Sequence, residues 1–407
     1  MKRYWRTLLI TLAALIFIGS FYIKNAVSES SLPQFTFVKE SGDDKEIMPV
    51  TFAGSFDRAG HFGRSEGLLI SNNQIDYNSE QSFVQLFTNG YGNDGEIREL
   101  QEKYPSYMRG KWGAASLYED KDFLVHATIK EEEKSEKKEY SFNISLLDKE
   151  KEERTDTKVK ILTEKPVLFM GELDVQMVGG MLKVVAVQSL HSYSDVENNE
   201  VHIYTIDLSR EKIIADELIF KTEQAGSTFI NYQKLRETNV RNPNNYFVYE
   251  KYELQERTGR NGNKTMDKQG SELMVYNFET GKQQSIPNSK YTGYESFYND
   301  TAIYVIHRKA ERLQIETHDI NKRQLIKSFE FSIMASQMTE DTKVIIKNSR
   351  IYLYSADETY PRKTKQPPGQ LIVADLNTGK ELYKGQLKAK KGTEMEGILR
   401  INYMEIQ

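Results

Sequence analysis

Through most of the chain after residue 33, apolar residues recur at every second position in short runs, and turn-forming residues separate the runs. Period two is the spacing of a strand with one buried face. The clearest case is Leu371 to Leu387. Leu371, Ile372 and Val373 lead into a turn over Asp375 to Gly379, and Leu382 and Leu387 lead out of it. Asn377 tolerates positive φ and Gly379 takes it without steric cost. The pattern predicts strand, tight turn, strand.

Weaker copies lie upstream. Leu273 to Ile286 repeats the pattern with Thr280, Gly281 and Lys282 at its turn, and Val201 to Ile219, Leu313 to Phe331 and Tyr140 to Ile161 follow it less closely. Another strand-like run precedes each copy: Phe123 to Ile129, Lys183 to Ser189, Tyr246 to Leu254, Ala302 to Arg308 and Arg350 to Ser355. The turn residues Asp148, Asp207, Asn277, Asp319 and Asp375 recur at roughly 40–70 positions, near the period of β-propeller blades. A lone blade leaves both faces bare, and stacked blades bury them. The expectation is an all-β fold, a six- or seven-bladed β-propeller over residues 34–407, with blades of about 55 residues. Unrelated hairpins in a β-sandwich are the alternative. Residues 34–95 fit the repeat poorly and read as degenerate blades or as a closing strand that pairs with the C-terminus.

Val373 to Tyr383 resembles the repeat of the quinoprotein-like propellers, Ala-x-Asp-x-x-Thr-Gly-Lys-x-x-Trp. Asp375, Thr378, Gly379 and Lys380 fit that pattern, and Leu273 to Lys282 fits with Asn277 in place of the acid. Tyr383 stands where the family places a docking tryptophan, and the chain has only Trp5 and Trp112. The resemblance implies architecture for about the last two thirds of the chain. It implies no quinone and transfers no site residue.

Lys2, Arg3 and Arg6 precede an apolar run from Thr7 to Ile23, about 17 residues, at the lower limit for a membrane-spanning helix. Basic charge ahead of the run predicts an N-terminus inside and the remainder outside the cytoplasm. Residues 1–6 then form a basic stub, 7–23 a transmembrane anchor in preference to a cleaved signal segment, and 24–33 a linker. With no cysteine in 407 residues, disulfides, thiolate metal sites and lipoprotein anchoring are excluded. A net charge of −4 of mixed sign gives no reason to expect nucleic acid.

The search for chemistry yields little. Gly90, Gly92 and Gly95 spell a dinucleotide fingerprint, but Pro105 cuts short the helix that follows, and no βαβ crossover exists. None of the six histidines forms a metalloprotease pair, and no serine sits in a nucleophile elbow. His191 and His202 could meet a metal only with help from Asp195 or Glu197. Glu172 and Asp174, alternating on one strand, would face the same side as a carboxylate pair. Lys130–Lys138 and Asp148–Lys160 read as solvated loops. Glu256–Gly270 and Pro361–Gly369 read as long loops, the places where a rigid scaffold carries binding residues.

The function expected is therefore a non-enzymatic module without cofactor or metal, anchored by its N-terminal helix. It would bind a membrane or envelope protein as a sensor or transporter accessory. Arg257, Arg260 and Lys264 with Lys363 and Lys365 would supply a basic contact face. The alternative is an envelope polysaccharide binder or hydrolase, with Tyr291, Tyr294, Phe297 and Tyr298 as an aromatic platform.

Overall fold

The computed structural model describes residues 32–58, 65–71, 74–80, 95–134, 137–190, 198–239, 241–258, 263–286, 296–309, 311–333, 342–356, 369–390, 392 and 397–406, with isolated positions in the first thirty residues. No helix among the described residues is long and apolar enough to cross a membrane. The run 7–23 lies outside them except at residues 11, 12 and 16.

In chain order the strands are β1 (Phe35–Gly42), β2 (Val50–Arg58), β3 (Ser65–Ser71), β4 (Gln74–Tyr77), β5 (Leu117–Glu119), β6 (Phe123–Lys134), β7 (Lys137–Asp148), β8 (Glu153–Ile161), β9 (Val167–Val178) and β10 (Met181–Leu190). Then come β11 (Asn198–Asp207), β12 (Lys212–Lys221), β13 (Glu223–Ala225), β14 (Thr228–Lys234), β15 (Arg236–Glu237), β16 (Tyr246–Thr258), β17 (Lys264–Asn277), β18 (Lys282–Ile286) and β19 (Ser296–Tyr298). The last are β20 (Ala302–Lys309), β21 (Arg312–Asp319), β22 (Gln324–Ser332), β23 (Thr342–Lys347), β24 (Arg350–Ser355), β25 (Gly369–Asp375), β26 (Glu381–Ala389) and β27 (Gly397–Ile406). Two short helices, α1 (Gly95–Lys103) and α2 (Pro105–Met108), stand between β4 and β5. Among the described residues the strands form six sheets of four or five strands, and the chain divides into two compact units.

The first unit holds two sheets, β27-β2-β3-β4 and β1-β26-β25-β24-β23. The chain ends are exchanged between them: β27 pairs with β2 from Val50↔Ile406 to Arg58↔Gly397, and β1 pairs with β26 from Phe35↔Ala389 to Gly42↔Tyr383. The pairing with the C-terminal region expected of residues 34–95 is thus seen in both sheets. Phe52, Phe56, Ile70 and Tyr77 pack with Tyr354, Leu371, Val373 and Tyr383 in one core. Tyr383, where the family pattern has tryptophan, is 1% exposed. Room for its ring comes from Gly385, where an added Cβ would lie 2.3 Å from the Tyr383 hydroxyl. Phe56 lies over Gly397 in the same way. An aromatic ring laid over a strand glycine covers the backbone that the missing side chain leaves bare.

The second unit holds four sheets: β5-β6-β7-β8, β12-β11-β10-β9, β13-β14-β16-β17-β18 and β15-β19-β20-β21-β22. Their inner strands are buried on both faces, and alternate residues join different cores. Val184 and Ala186 pack with Val125, Ala127 and Phe142 of the preceding sheet. Val185 between them packs with Phe247, Tyr249 and Tyr276 of the following one. Val248, Leu273 and Val275 then meet Tyr298, Ile303 and Val305. The helices lie on the first of these sheets, where Ile97, Leu100, Tyr107 and Met108 cover Leu117 and Leu124. Pro105 opens α2 as well as ending α1, a first-turn position where its missing N–H costs nothing.

The repeated turn is built alike five times. Oδ1 of Asp148 accepts from the backbone N–H of Glu150 and Lys151, and Oδ1 of Asp207 from Ser209 and Arg210. Oδ1 of Asn277 accepts from Thr280, that of Asp319 from Lys322, and that of Asp375 from Asn377 and Thr378. Four residues after each cap the backbone turns left-handed: Glu152 (φ 54°), Glu211 (51°), Gly281 (66°), Arg323 (54°) and Gly379 (70°).

Three segments read as loops are largely strand: Lys130–Lys138 lies in β6 and β7, Asp148–Lys160 mostly in β8, which pairs with β7, and Glu256–Gly270 mostly in β16 and β17. The ladder β6–β7 runs out to Lys134↔Lys137. The acids and lysines of this region pair across strands, Lys138 with Glu131 at 2.8 Å and Lys160 with Glu139 at 2.9 Å. Likewise β16 and β17 pair out to Thr258↔Lys264. Cross-strand charge pairs hold such ladders without an apolar face, so no hydrophobic alternation marks them in the sequence.

Candidate functional site

The most perturbed group of side chains in the second unit lies where its last three sheets meet. A β-bulge creates it. Asp174 pairs with Val185, yet Glu172 pairs with Ala186, so Leu173 is an extra residue in β9. The bulge puts Glu172 and Asp174 on opposite faces, because Val185 and Ala186 alternate. The shared-face carboxylate pair expected from spacing therefore does not form. Glu172 Oε2 accepts from the Ile129 N–H at 3.3 Å toward the preceding sheet. Asp174 points the other way and is 1% exposed.

Lys234 ends β14 and donates from Nζ to the carbonyl of Leu173, the bulge residue. The chain then crosses from one sheet to the next at Leu235. Glu237 follows in β15, which runs parallel to β19 and sets Glu237 beside Tyr298. Lys234 Nζ lies 3.0 Å from Glu237 Oε1 and 5.7 Å from the centre of the Phe247 ring. Gln176 Nε2 donates to Asp174 Oδ1 at 3.2 Å, and Gln176 Oε1 accepts from the Asn244 N–H at 2.9 Å. Asp174 Oδ2, both Glu237 carboxylate oxygens and the Tyr298 hydroxyl are buried without a partner in hydrogen-bonding geometry.

Burial raises the Asp174 carboxyl against the pull of Lys234. Burial, reinforced by the Asp174 charge, pushes Glu237 up to about 7. The Tyr298 phenol is driven well above its ordinary value, first by burial and then by the two carboxylates. Burial works against the Lys234 ammonium, but Glu237 and Asp174 outweigh it and hold the amine above its usual range. Such a set can hold a proton and bind three sheets together. Among the described residues no group of three or more histidines and acids could hold a metal ion.

Other titratable groups are tied into the scaffold. His126 is pushed down to about 4 by burial, with Nε2 3.4 Å from the Trp112 carbonyl oxygen. His202 Nδ1 lies 2.7 Å from Asp216 Oδ1. His307 and His318 both face Glu316 Oε2, at 3.3 and 3.4 Å.

Of the residues singled out from sequence, Arg257 and Lys264 lie at the outer end of the β16–β17 hairpin. Each is paired across it, Arg257 with Asp267 at 3.0 Å and Lys264 with Glu256 at 3.2 Å. Both ion pairs are solvent-exposed and individually weak. Met266 stands half exposed among them. Phe297 is not on an exposed platform: it is buried in β19 opposite Tyr304. Arg260, Tyr291, Tyr294, Lys363 and Lys365 lie outside the described residues, as do Gly90 and Gly92, His61, His191, Asp195 and Glu197. Tyr298, read with Phe297 as part of the aromatic platform, is buried instead, and Lys234 and Glu237 escaped the sequence reading. Their only signal is a lysine and a glutamate three apart between apolar runs, and many surface turns show that spacing.

No family model and no curated protein matches the chain. Solved structures do. TolB from Acinetobacter baumannii aligns at 10% identity and TM-score 0.29 over 87% of this chain and 67% of that one. Apo AztD from Citrobacter koseri aligns at 10% and 0.31 over 86% and 97%. The β-propeller domain of the trilobed protease from Pyrococcus furiosus aligns at 13% and 0.30 over 57% and 71%. The likeness is distant, and the all-β, multi-sheet character of the fold rests on the strand pairing itself.

Proposed function

We propose that the protein is a non-enzymatic binding module, a six-bladed propeller held outside the cytoplasm by residues 7–23, whose β16–β17 hairpin contacts a membrane or envelope protein. The observation that carries this reading is the hairpin itself. Its inner halves are core, while its ladder continues beyond the last β14 pairing, Thr228↔Gln255, to Thr258↔Lys264. A self-paired arm with ion pairs and an exposed methionine is preorganised to dock with little ordering cost. The carboxylates of the second unit's buried cluster are closed off from solvent, which suits scaffold chemistry better than turnover. Six small sheets among the described residues support a count of six blades.

The test places a photo-crosslinking residue at Arg257 or Lys264 in cells, with Lys388 on β26 as the control position. The expected result is one discrete adduct with a membrane or envelope protein from both hairpin positions and none from Lys388. Equal labelling from all three, or none from the hairpin, overturns the contact role. Protease added to intact cells should digest the folded region, and protection there overturns the orientation.

A further inference from the structure

We propose that Asp174, Lys234, Glu237 and Tyr298 form a buried proton-binding site, in which the two carboxyl groups hold one proton between them against the single ammonium. The argument is one of charge and geometry and does not depend on the binding role above. Asp174 reaches the site from β9, Lys234 from β14, Glu237 from β15 and Tyr298 from β19, and these are the titratable groups that face one another there. Two carboxylates and one ammonium leave one negative charge uncompensated. An isolated charge in a closed, low-dielectric site neutralises by taking up a proton in preference to staying ionised. The neutral atoms around it, from Gln176 and the backbone, satisfy one Asp174 oxygen only. Oδ2 of Asp174 has no donor, and Glu237 Oε1 has the Lys234 ammonium at 3.0 Å, so one proton on the carboxyl pair supplies the donor that Lys234 cannot. Lys234 is committed to Leu173 and Glu237 and cannot serve both acids fully.

The consequence has a definite sign. Glu237 titrates near 4.5 when unfolded and at about 7 in the folded chain. For an acid raised in this way, the folded state binds more protons than the unfolded one. Its stabilising contribution is complete below the unfolded value and is lost as pH rises through about 7. The junction of three sheets therefore loosens on the alkaline side.

The experiment uses the full chain and Glu237→Gln, which keeps the shape and removes the ionisation. Thermal melting is followed from pH 5 to pH 8. The wild type should lose melting temperature relative to the variant as pH rises, with the variant matching or exceeding it at pH 8. A difference between the two that does not change with pH overturns the proposal. Should the variant fail to fold, carboxyl carbon NMR on a Glu250→Gln protein, which lacks the other buried, raised glutamate, reads the same site. One carboxyl titrating near neutrality supports the shared proton. Titration of every carboxyl in the ordinary acid range overturns it.

Discussion

The repeated turn makes a prediction whose sign changes from one copy to the next. Glu211 occupies the left-handed position four residues after Asp207, and Gly281 occupies the same position after Asn277. An L-residue there costs about 1–2 kcal/mol from its Cβ. Glycine avoids that strain but brings extra unfolded-state entropy, roughly 0.4–1 kcal/mol. The net gain for Glu211→Gly is about 0.5–1 kcal/mol. The reverse change, Gly281→Ala, meets nothing nearer than Glu217 Oε2 at 3.5 Å and Tyr276 hydroxyl at 3.6 Å. Its cost is therefore purely one of backbone, about 0.5–1 kcal/mol in the other direction. Both turns lie in the second unit, for which 1 kcal/mol corresponds to about 2–4 °C in melting temperature. Urea melts read by circular dichroism, with calorimetry alongside, measure both variants. Glu150→Gly is the control: it lies in the same type of turn but outside the left-handed positions, and it should destabilise. If Glu211→Gly also destabilises, or Gly281→Ala is neutral, the left-handed position does not control these turns and the repeat reading fails at its physical basis.

Three further predictions concern buried groups. Glu250 is fully buried against Lys268 at 2.5 Å, so Lys268→Met strands a buried carboxylate. With the lysine partly exposed, the loss should be about 2 kcal/mol near neutral pH, shrinking under acid as Glu250, already raised by burial, takes up a proton. Equal loss at pH 5 and pH 8 would exclude that account. In the first unit, Gly385→Ala should destabilise by about 1–3 kcal/mol, because the new methyl meets the buried Tyr383 ring. Tyr383→Phe removes a buried hydroxyl that has no hydrogen-bond partner and should be neutral or stabilising; a marked loss in denaturant melts would contradict this.

The turns were legible along the chain because their chemistry is local. An Asx cap and a left-handed residue four positions later are set by side chains within one turn of backbone, so Asp148, Asp207, Asn277, Asp319 and Asp375 stand out without any tertiary contact. The strands around them were legible wherever a face is buried, since burial imposes alternation. The β6–β7 and β16–β17 extensions were not, because pairing between Lys138 and Glu131 or Arg257 and Asp267 leaves only a charge-rich, unpatterned text. The exchange of β1 and β27 between two sheets joins residues more than 300 positions apart, a distance over which sequence pattern carries no register. The buried cluster is the extreme case. Spacing alone places Glu172 and Asp174 on one face; a single extra residue, Leu173, separates them and turns Asp174 toward Lys234 and Glu237. Whether those charges are solvated or share a proton depends on three sheets closing over them, and desolvation is a property of the packed neighbourhood, not of any residue in it.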